Sequence, residues 1–183
     1  MFHVKHYSIM NIEEFKTKIR NIPDFPKPGI QFKDITTALK DPECLRWMRD
    51  RIVDIYKDKG ITQVVGLESR GFIVAPAVAI ELGAGFVPER KPGKLPADVI
   101  SMSYNKEYGT DTMQIHRDAL SANDVVLIHD DLLATGGTVA AAIKLVKSTG
   151  VKKVYVNFLI ELEGLHGRDL IDNDVEISSL ITL

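Results

Sequence analysis

Apolar positions change their spacing several times along the chain, and each change marks an element. Ile12, Phe15 and Ile19 recur at intervals of three and four residues, the period of one helix face. That pattern stops before Pro23, and Asn21 to Thr37 reads as loop, with Pro23, Pro26, Pro28 and Gly29. The loop nonetheless carries Phe25, Ile30 and Phe32, so it is expected to fold back over something. Asp41-Pro42 is a helix start, the acid as N-cap and the proline in the first turn. Leu45, Met48, Ile52 and Ile55 then predict one buried face, and Gly60 ends the helix.

Downstream the period alternates between strand and helix. Gln63 to Leu67 predicts a buried strand, Phe72 to Leu82 a small apolar helix closed by Gly83, and Gly85 to Glu89 a second strand. Lys91-Pro92-Gly93-Lys94 is loop chemistry. Val99 to Tyr104 and Thr112 to His116 predict a hairpin-like insertion around Asn105 to Thr110. Val125 to Ile128 is an apolar strand, Asp130 to Thr138 a turn, and a helix follows to about Ser148 and Gly150. Lys153 to Ile160 and Val175 to Ile181 complete the strands. This order predicts an α/β fold, a mostly parallel twisted sheet flanked by helices with right-handed crossovers. Ligands in such folds sit beyond the carboxyl ends of the strands, where Glu68 to Gly71 and Asp130 to Thr138 fall.

Composition narrows the classes. The 183 residues suit one domain, with Met1 to Ile9 set aside as an N-terminal extension and residues 10–183 as the domain. The charge, 23 − 25 = −2, gives no electrostatic footprint for nucleic acid. With Cys44 as the single cysteine, a disulfide framework and a multi-cysteine zinc site within the chain are excluded, and Cys44 reads as a small core residue. No apolar run approaches the ~20 residues of a membrane span, and the N-terminus lacks a signal-peptide core. The expectation is a soluble, cytoplasmic protein without a membrane partner. His116, His166 and the His3-x-x-His6 pair lack ligand spacing and read as surface histidines.

The chemistry concentrates at Val125 to Thr138. A buried strand delivers Asp130 and Asp131, and a Thr-Gly-Gly-Thr turn then opens a helix, whose free N–H groups make an anion site. A site for phosphate alone would not keep two acids so close. A ligand with a phosphate at one end and hydroxyls or a metal ion at the other fits both, and ribose 5-phosphate is such a ligand. Taken alone, the acid pair also fits strand-end capping, and the turn a plain helix start. The P-loop pattern fails, because Gly93-Lys94 is followed by Leu95.

The run Val126-Leu127-Ile128-His129-Asp130-Asp131-Leu132-Leu133-Ala134-Thr135-Gly136-Gly137-Thr138 resembles the phosphoribosyl-diphosphate motif of type I phosphoribosyltransferases. Three further stretches narrow the resemblance to the adenine phosphoribosyltransferase family. They are Phe25 to Ile35, Glu68-Ser69-Arg70-Gly71-Phe72, and Arg90 to Pro96 together with Glu107-Tyr108-Gly109. The resemblance implies a small hood over about 10–37 and a mobile loop over about 91–118. It also implies purine salvage: transfer of ribose 5-phosphate from 5-phosphoribosyl 1-diphosphate to adenine, giving AMP and diphosphate, with Mg²⁺ on the donor.

By that resemblance Ala134, Thr135, Gly136, Gly137 and Thr138 bind the 5′-phosphate. Asp130 and Asp131 hold the ribose and help position the metal. Glu68, Ser69 and Arg70 form the diphosphate loop, with Arg70 also counted as catalytic. A strained non-proline peptide is implied there, a cis bond being one form of it. Arg90, Lys91 and Lys94 are the basic positions near the diphosphate. Phe32 stacks on adenine, while backbone groups of Gln31 and Lys33 read its edge. Glu107 handles the purine proton on a closing loop shared with Tyr108. The family is homodimeric. His129 stands where it usually has an aliphatic residue, which implies an altered pKa or a hydrogen bond to a neighbouring acid. Two alternatives stay open: transfer to another purine base, and a non-catalytic regulator that binds the donor.

Overall fold

The computed structural model describes residues 10–106 and 109–183, which group into two units divided between Arg51 and Ile52. In the first, α1 (Ile12–Thr17) is opened by a capping box between Asn11 and Glu14. Phe15 is fully buried and stacks on Trp47 at 4.4 Å. The segment expected to be loop is a hairpin instead: β1 (Arg20–Pro23) pairs antiparallel with β2 (Gln31–Asp34). Its prolines and Gly29 fall at the end of β1 and in the connection, so two four-residue strands escape a composition-based reading. A short helix, α2 (Thr36–Leu39), precedes α3 (Pro42–Tyr56).

The buried face of α3 differs from the expected one. Cys44, Trp47, Met48, Ile52 and Tyr56 are buried, whereas Leu45 is 38% exposed and Ile55 only half-buried. The stripe is rotated by about one residue, because Cys, Trp and Tyr take up the burial that a count of aliphatics assigns to Leu45 and Ile55.

The second unit holds β3 (Gln63–Leu67), α4 (Gly71–Leu82), β4 (Gly85–Glu89), β5 (Val99–Lys106) and β6 (Gly109–His116). It continues with β7 (Val125–Leu133), α5 (Gly137–Lys147), β8 (Lys153–Glu161) and β9 (Glu176–Thr182). Five parallel strands lie in the order β4-β3-β7-β8-β9. Val65, Ile115, Val126, Ile128, Ile143 and Val156 belong to one buried cluster. The strands β5 and β6 form the expected hairpin, extended to Lys106 and Gly109, and it is tied to the end of β4 by reciprocal backbone bonds between Arg90 and Gln114 of 2.9 and 2.7 Å. Two 3-10 turns, Glu163–Leu165 and Gly167–Leu170, carry no periodic signal in the sequence.

One correction bears on the site. β7 continues through Asp130 and Asp131 to Leu133 rather than stopping at Ile128, so both acids are strand residues. From β3 the chain moves to β4 on one side, while β7 lies against β3 on the other. The order therefore reverses between β3 and β7, the crevice where open α/β sheets bind ligands. Among the described residues no helix is long and apolar enough to cross a membrane.

Candidate active site

The carboxyl end of β7 runs into a loop whose last residue, Gly136, has φ +84° and caps α5 without any side-chain hydrogen bond. A positive φ suits glycine, and here space demands it as well. A Cβ on Gly136 would lie 2.1 Å from the Gly167 carbonyl oxygen, and one on Gly167 would lie 2.2 Å from that of Ala134. Two glycines thus let the loop pack against the second 3-10 turn. Asp130, Ala134, Thr135, Gly136, Gly137 and Thr138 are among the residues lining a cavity of about 90 Å³, with room for a small anion. The first-turn N–H groups of α5 are donors for it, and Thr135 and Thr138 line it with hydroxyls.

Beside this cradle stand the two acids. Asp130 Oδ1 accepts the Asp131 backbone N–H at 2.9 Å. Asp131 is 3% exposed, and its Oδ2 lies 3.0 Å from Arg70 Nε, an ionic approach without hydrogen-bond alignment. Burial, then the charge of Asp131, pushes the Asp130 carboxyl well above its usual range. Burial also raises Asp131, against the pull of Arg70. Both shifts have the sign that a nearby cation or hydroxyl donors would oppose, because either favours the charged carboxylate. Gly71 packs against the strand at Asp130, since a Cβ there would lie 2.6 Å from the His129 carbonyl oxygen and 3.3 Å from Asp130 Oδ1.

The diphosphate-loop candidates follow β3. The Glu68–Ser69 peptide is cis, in the loop where the resemblance implied an unusual peptide. The Glu68 carboxylate accepts Lys91 N–H at 2.8 Å and Arg90 Nε–H at 3.0 Å, and the Lys91 amide above all holds it below its usual range. Its side chain is thus used on the next loop, and Arg90 also lies 5.6 Å from the centre of the Phe72 ring. Lys91 Nζ approaches Asp111 Oδ2 at 3.3 Å, and Lys94 is exposed.

The base-reading candidates lie on β2. Asp24 N–H donates to the Ile30 carbonyl at 2.8 Å, so by antiparallel alternation the Ile22–Phe32 pair is also hydrogen-bonded. The backbone groups of Gln31 and Lys33 then point to the open edge of the hairpin. Their side chains bond to Asn21, at 2.6 and 3.0 Å. Phe32 is half-buried and meets Phe25 edge-on at 5.1 Å.

His129 is not bonded to a neighbouring acid. Its Nδ1 meets Asn157 Oδ1 at 2.9 Å, Asn157 Nδ2 donates to Ser178 Oγ, and Ser178 meets Tyr56 Oη, each at 2.8 Å. The chain ends on the Val156 carbonyl, which Tyr56 satisfies at 2.8 Å. Burial pushes the imidazole down to about 4, so it is neutral at physiological pH. His116 is half-buried, with its Nε2 lacking a hydrogen bond, rather than a surface residue; His166 is exposed. Cys44 is buried. Glu107, Tyr108, His3 and His6 lie outside the described residues. Sequence reasoning missed Gly167, Tyr104 and Asp111. An isolated glycine and two alternating strand residues carry no local signal of a site.

Residues 36–181 match the family model described as the phosphoribosyl transferase domain. The adenine phosphoribosyltransferase of Bacteroides thetaiotaomicron is 62% identical over 175 residues, covering 96% of this chain and 99% of that protein. The crystal structure of the adenine phosphoribosyltransferase from Rhodothermus marinus superimposes with a TM-score of 0.89 at 50% identity, covering 93% of this chain and 97% of that one. That of Giardia lamblia, complexed with 9-deazaadenine, gives 0.88 at 44% identity, covering 95% and 98%. A parallel sheet with a glycine-capped cavity at its switch point, joined to likeness of this extent, means that the chain belongs to the type I phosphoribosyltransferases, in the adenine phosphoribosyltransferase family.

Proposed function

We propose that this chain performs its family's reaction with the residues described above. The reaction moves ribose 5-phosphate from 5-phosphoribosyl 1-diphosphate to adenine, in purine salvage. A bond forms between adenine N9 and the anomeric carbon, the bond from that carbon to the diphosphate oxygen breaks, and AMP and diphosphate leave. The observation that carries the reading is the Gly136-capped cradle beside the half-buried Asp130 and buried Asp131, which suits the two ends of one sugar phosphate.

The cradle, Ala134 to Thr138, takes the 5′-phosphate, and fixing it holds the ribose for attack. Asp130 and Asp131 accept the ribose hydroxyls. As the oxocarbenium-like charge develops at the anomeric carbon, their negative charge stabilises it. Backbone groups of Glu68, Ser69 and Arg70 hold the diphosphate, with Arg90, Lys91 and Lys94 neutralising its charge. Glu107 is assigned the purine N7 proton. Adenine lies on Phe32, its 6-amino group donating to a carbonyl and its N1 accepting an N–H on the open edge of β2. A 6-oxo purine reverses both and opposes like groups.

Mg²⁺ fits as a companion of the donor rather than as a resident ion. Among the described residues no cluster of three or more His, Cys, Asp or Glu could hold a metal, yet the buried, unaligned Asp131 Oδ2 is a hard oxygen suited to one. When bound, the ion neutralises charge on the diphosphate. A homodimer is also proposed, on the family resemblance and on the apolar residues Ile73 and Ile80 left exposed on α4.

Diphosphate release measured with adenine, hypoxanthine and guanine in turn tests the assignment. Turnover with adenine is expected; turnover with hypoxanthine but not adenine overturns it. Asp131→Asn is expected to cut kcat/KM for the donor at least about tenfold, with little change in melting temperature. Unchanged kinetics would remove the acids from the site.

A further inference from the structure

The insertion hairpin reaches the cradle through a residue to which no role has been given. Tyr104 on β5 and Asp111 on β6 are register partners. Tyr104 Oη lies 3.2 Å from Thr138 Oγ1 and 3.4 Å from Asp111 Oδ2, and the same Asp111 oxygen lies 3.3 Å from Lys91 Nζ. The polar chain Lys91–Asp111–Tyr104–Thr138 thus joins a basic residue of the β4–β5 loop to a hydroxyl of the cradle.

A phenol has one proton to give. Asp111, a carboxylate, only accepts, so Tyr104 donates to it and Thr138 must then donate to Tyr104. In that arrangement Thr138 turns lone pairs, not its proton, toward the cradle. An anion there needs the Thr138 proton. The direction of donation therefore has to reverse: Thr138 gives to the anion, Tyr104 gives to Thr138, and Asp111 keeps Lys91. At 3.4 Å the Tyr104–Asp111 bond is at the long limit and is the weak member of the chain.

We infer that Tyr104 is a positioning residue for the 5′-phosphate, orienting the Thr138 hydroxyl by reversing its own donation when the phosphate arrives. This rests on the reading of the α5 N-terminus as the phosphate site. It acts through Thr138, so its effect belongs to ligands that carry the phosphate and not to the free base.

Tyr104→Phe, Thr138→Val and the double variant are compared by calorimetric titration with ribose 5-phosphate and by the KM for adenine. Tyr104→Phe is expected to weaken ribose 5-phosphate roughly fivefold, about one net hydrogen bond, while the KM for adenine is unchanged. The double variant should be no weaker than Thr138→Val alone, because the proposed effect of the phenol passes through the Thr138 hydroxyl. Unaltered affinity in Tyr104→Phe, equal losses for sugar phosphate and adenine, or additive losses in the double variant would each overturn the inference. If Thr138→Val itself leaves ribose 5-phosphate binding intact, the phosphate-site reading falls and this inference with it.

Discussion

Glu89 closes β4 with 4% of its surface exposed, and no step of the reaction uses it. Burial pushes its carboxyl up to about 7, helped by the charges of Glu68 and Asp111 and opposed by the Glu68 amide and Lys91. Between the ordinary 4.5 and about 7, the folded protein holds a proton that the unfolded chain has released. Stability therefore falls as pH rises through that window and levels off above it. Glu89→Gln should stabilise the protein at pH 8 by up to about 3 kcal/mol and by almost nothing near pH 4.5, read as melting temperature against pH. Asp34 has the opposite sign. Its hydrogen bonds from Arg20 first, then Thr36, lower it to about 2, so the stability it contributes is present above its ordinary 3.8 and lost as pH falls toward 2. The residue scale is also where the sequence was most legible for the candidate site: Asp130, Asp131 and the Thr135 to Thr138 run, which the structure brings to one cavity or its edge, combine scarce residue types at a spacing that local chemistry can interpret. Tyr104 and Gly167 were invisible there, because their partners are 34 and 31 residues away.

Among elements, the loop before α5 depends on a contact between two glycines distant in sequence. Gly136→Ala meets both a left-handed backbone and the Gly167 carbonyl, so it should cost about 1–3 kcal/mol and reduce ribose 5-phosphate affinity more than tenfold. Gly167→Ala should do the same from outside the cradle, since its Cβ would meet the Ala134 carbonyl. Normal ligand titration by both variants would show that the loop tolerates displacement. Strand and helix identity was largely legible, because β3 and β4 are short β-branched or apolar runs with Gly83 between them. The β1–β2 hairpin was not, because its prolines suppress the strand signal while leaving pairing possible at four residues.

At the scale of the molecule, α4 is apolar on both sides: Val74, Ala75, Val78 and Ala79 are buried, while Ile73 is 45% and Ile80 78% exposed. Exposed apolar residues of this kind mark a face that another surface covers, and a second copy of the chain is the proposed cover. Ile80→Glu should shift the sedimentation coefficient from dimer toward monomer at assay concentration, without lowering the melting temperature of the monomer. A wild-type chain that sediments as monomer would remove the dimer.

What the sequence determined by itself was local: which segments alternate between strand and helix, which turn opens α5 with glycines and hydroxyls, and which acids stand beside it. Those properties follow from periodicity, from the freedom of glycine and from the chemistry of adjacent side chains, all of which act within a few residues. Only the tertiary structure decided that β7 carries the acids to its end, that Gly167 supports the cradle, and that Tyr104 reaches Thr138. Each depends on chain segments that meet because burial and sheet order bring them together, and no spacing along the chain encodes such a meeting.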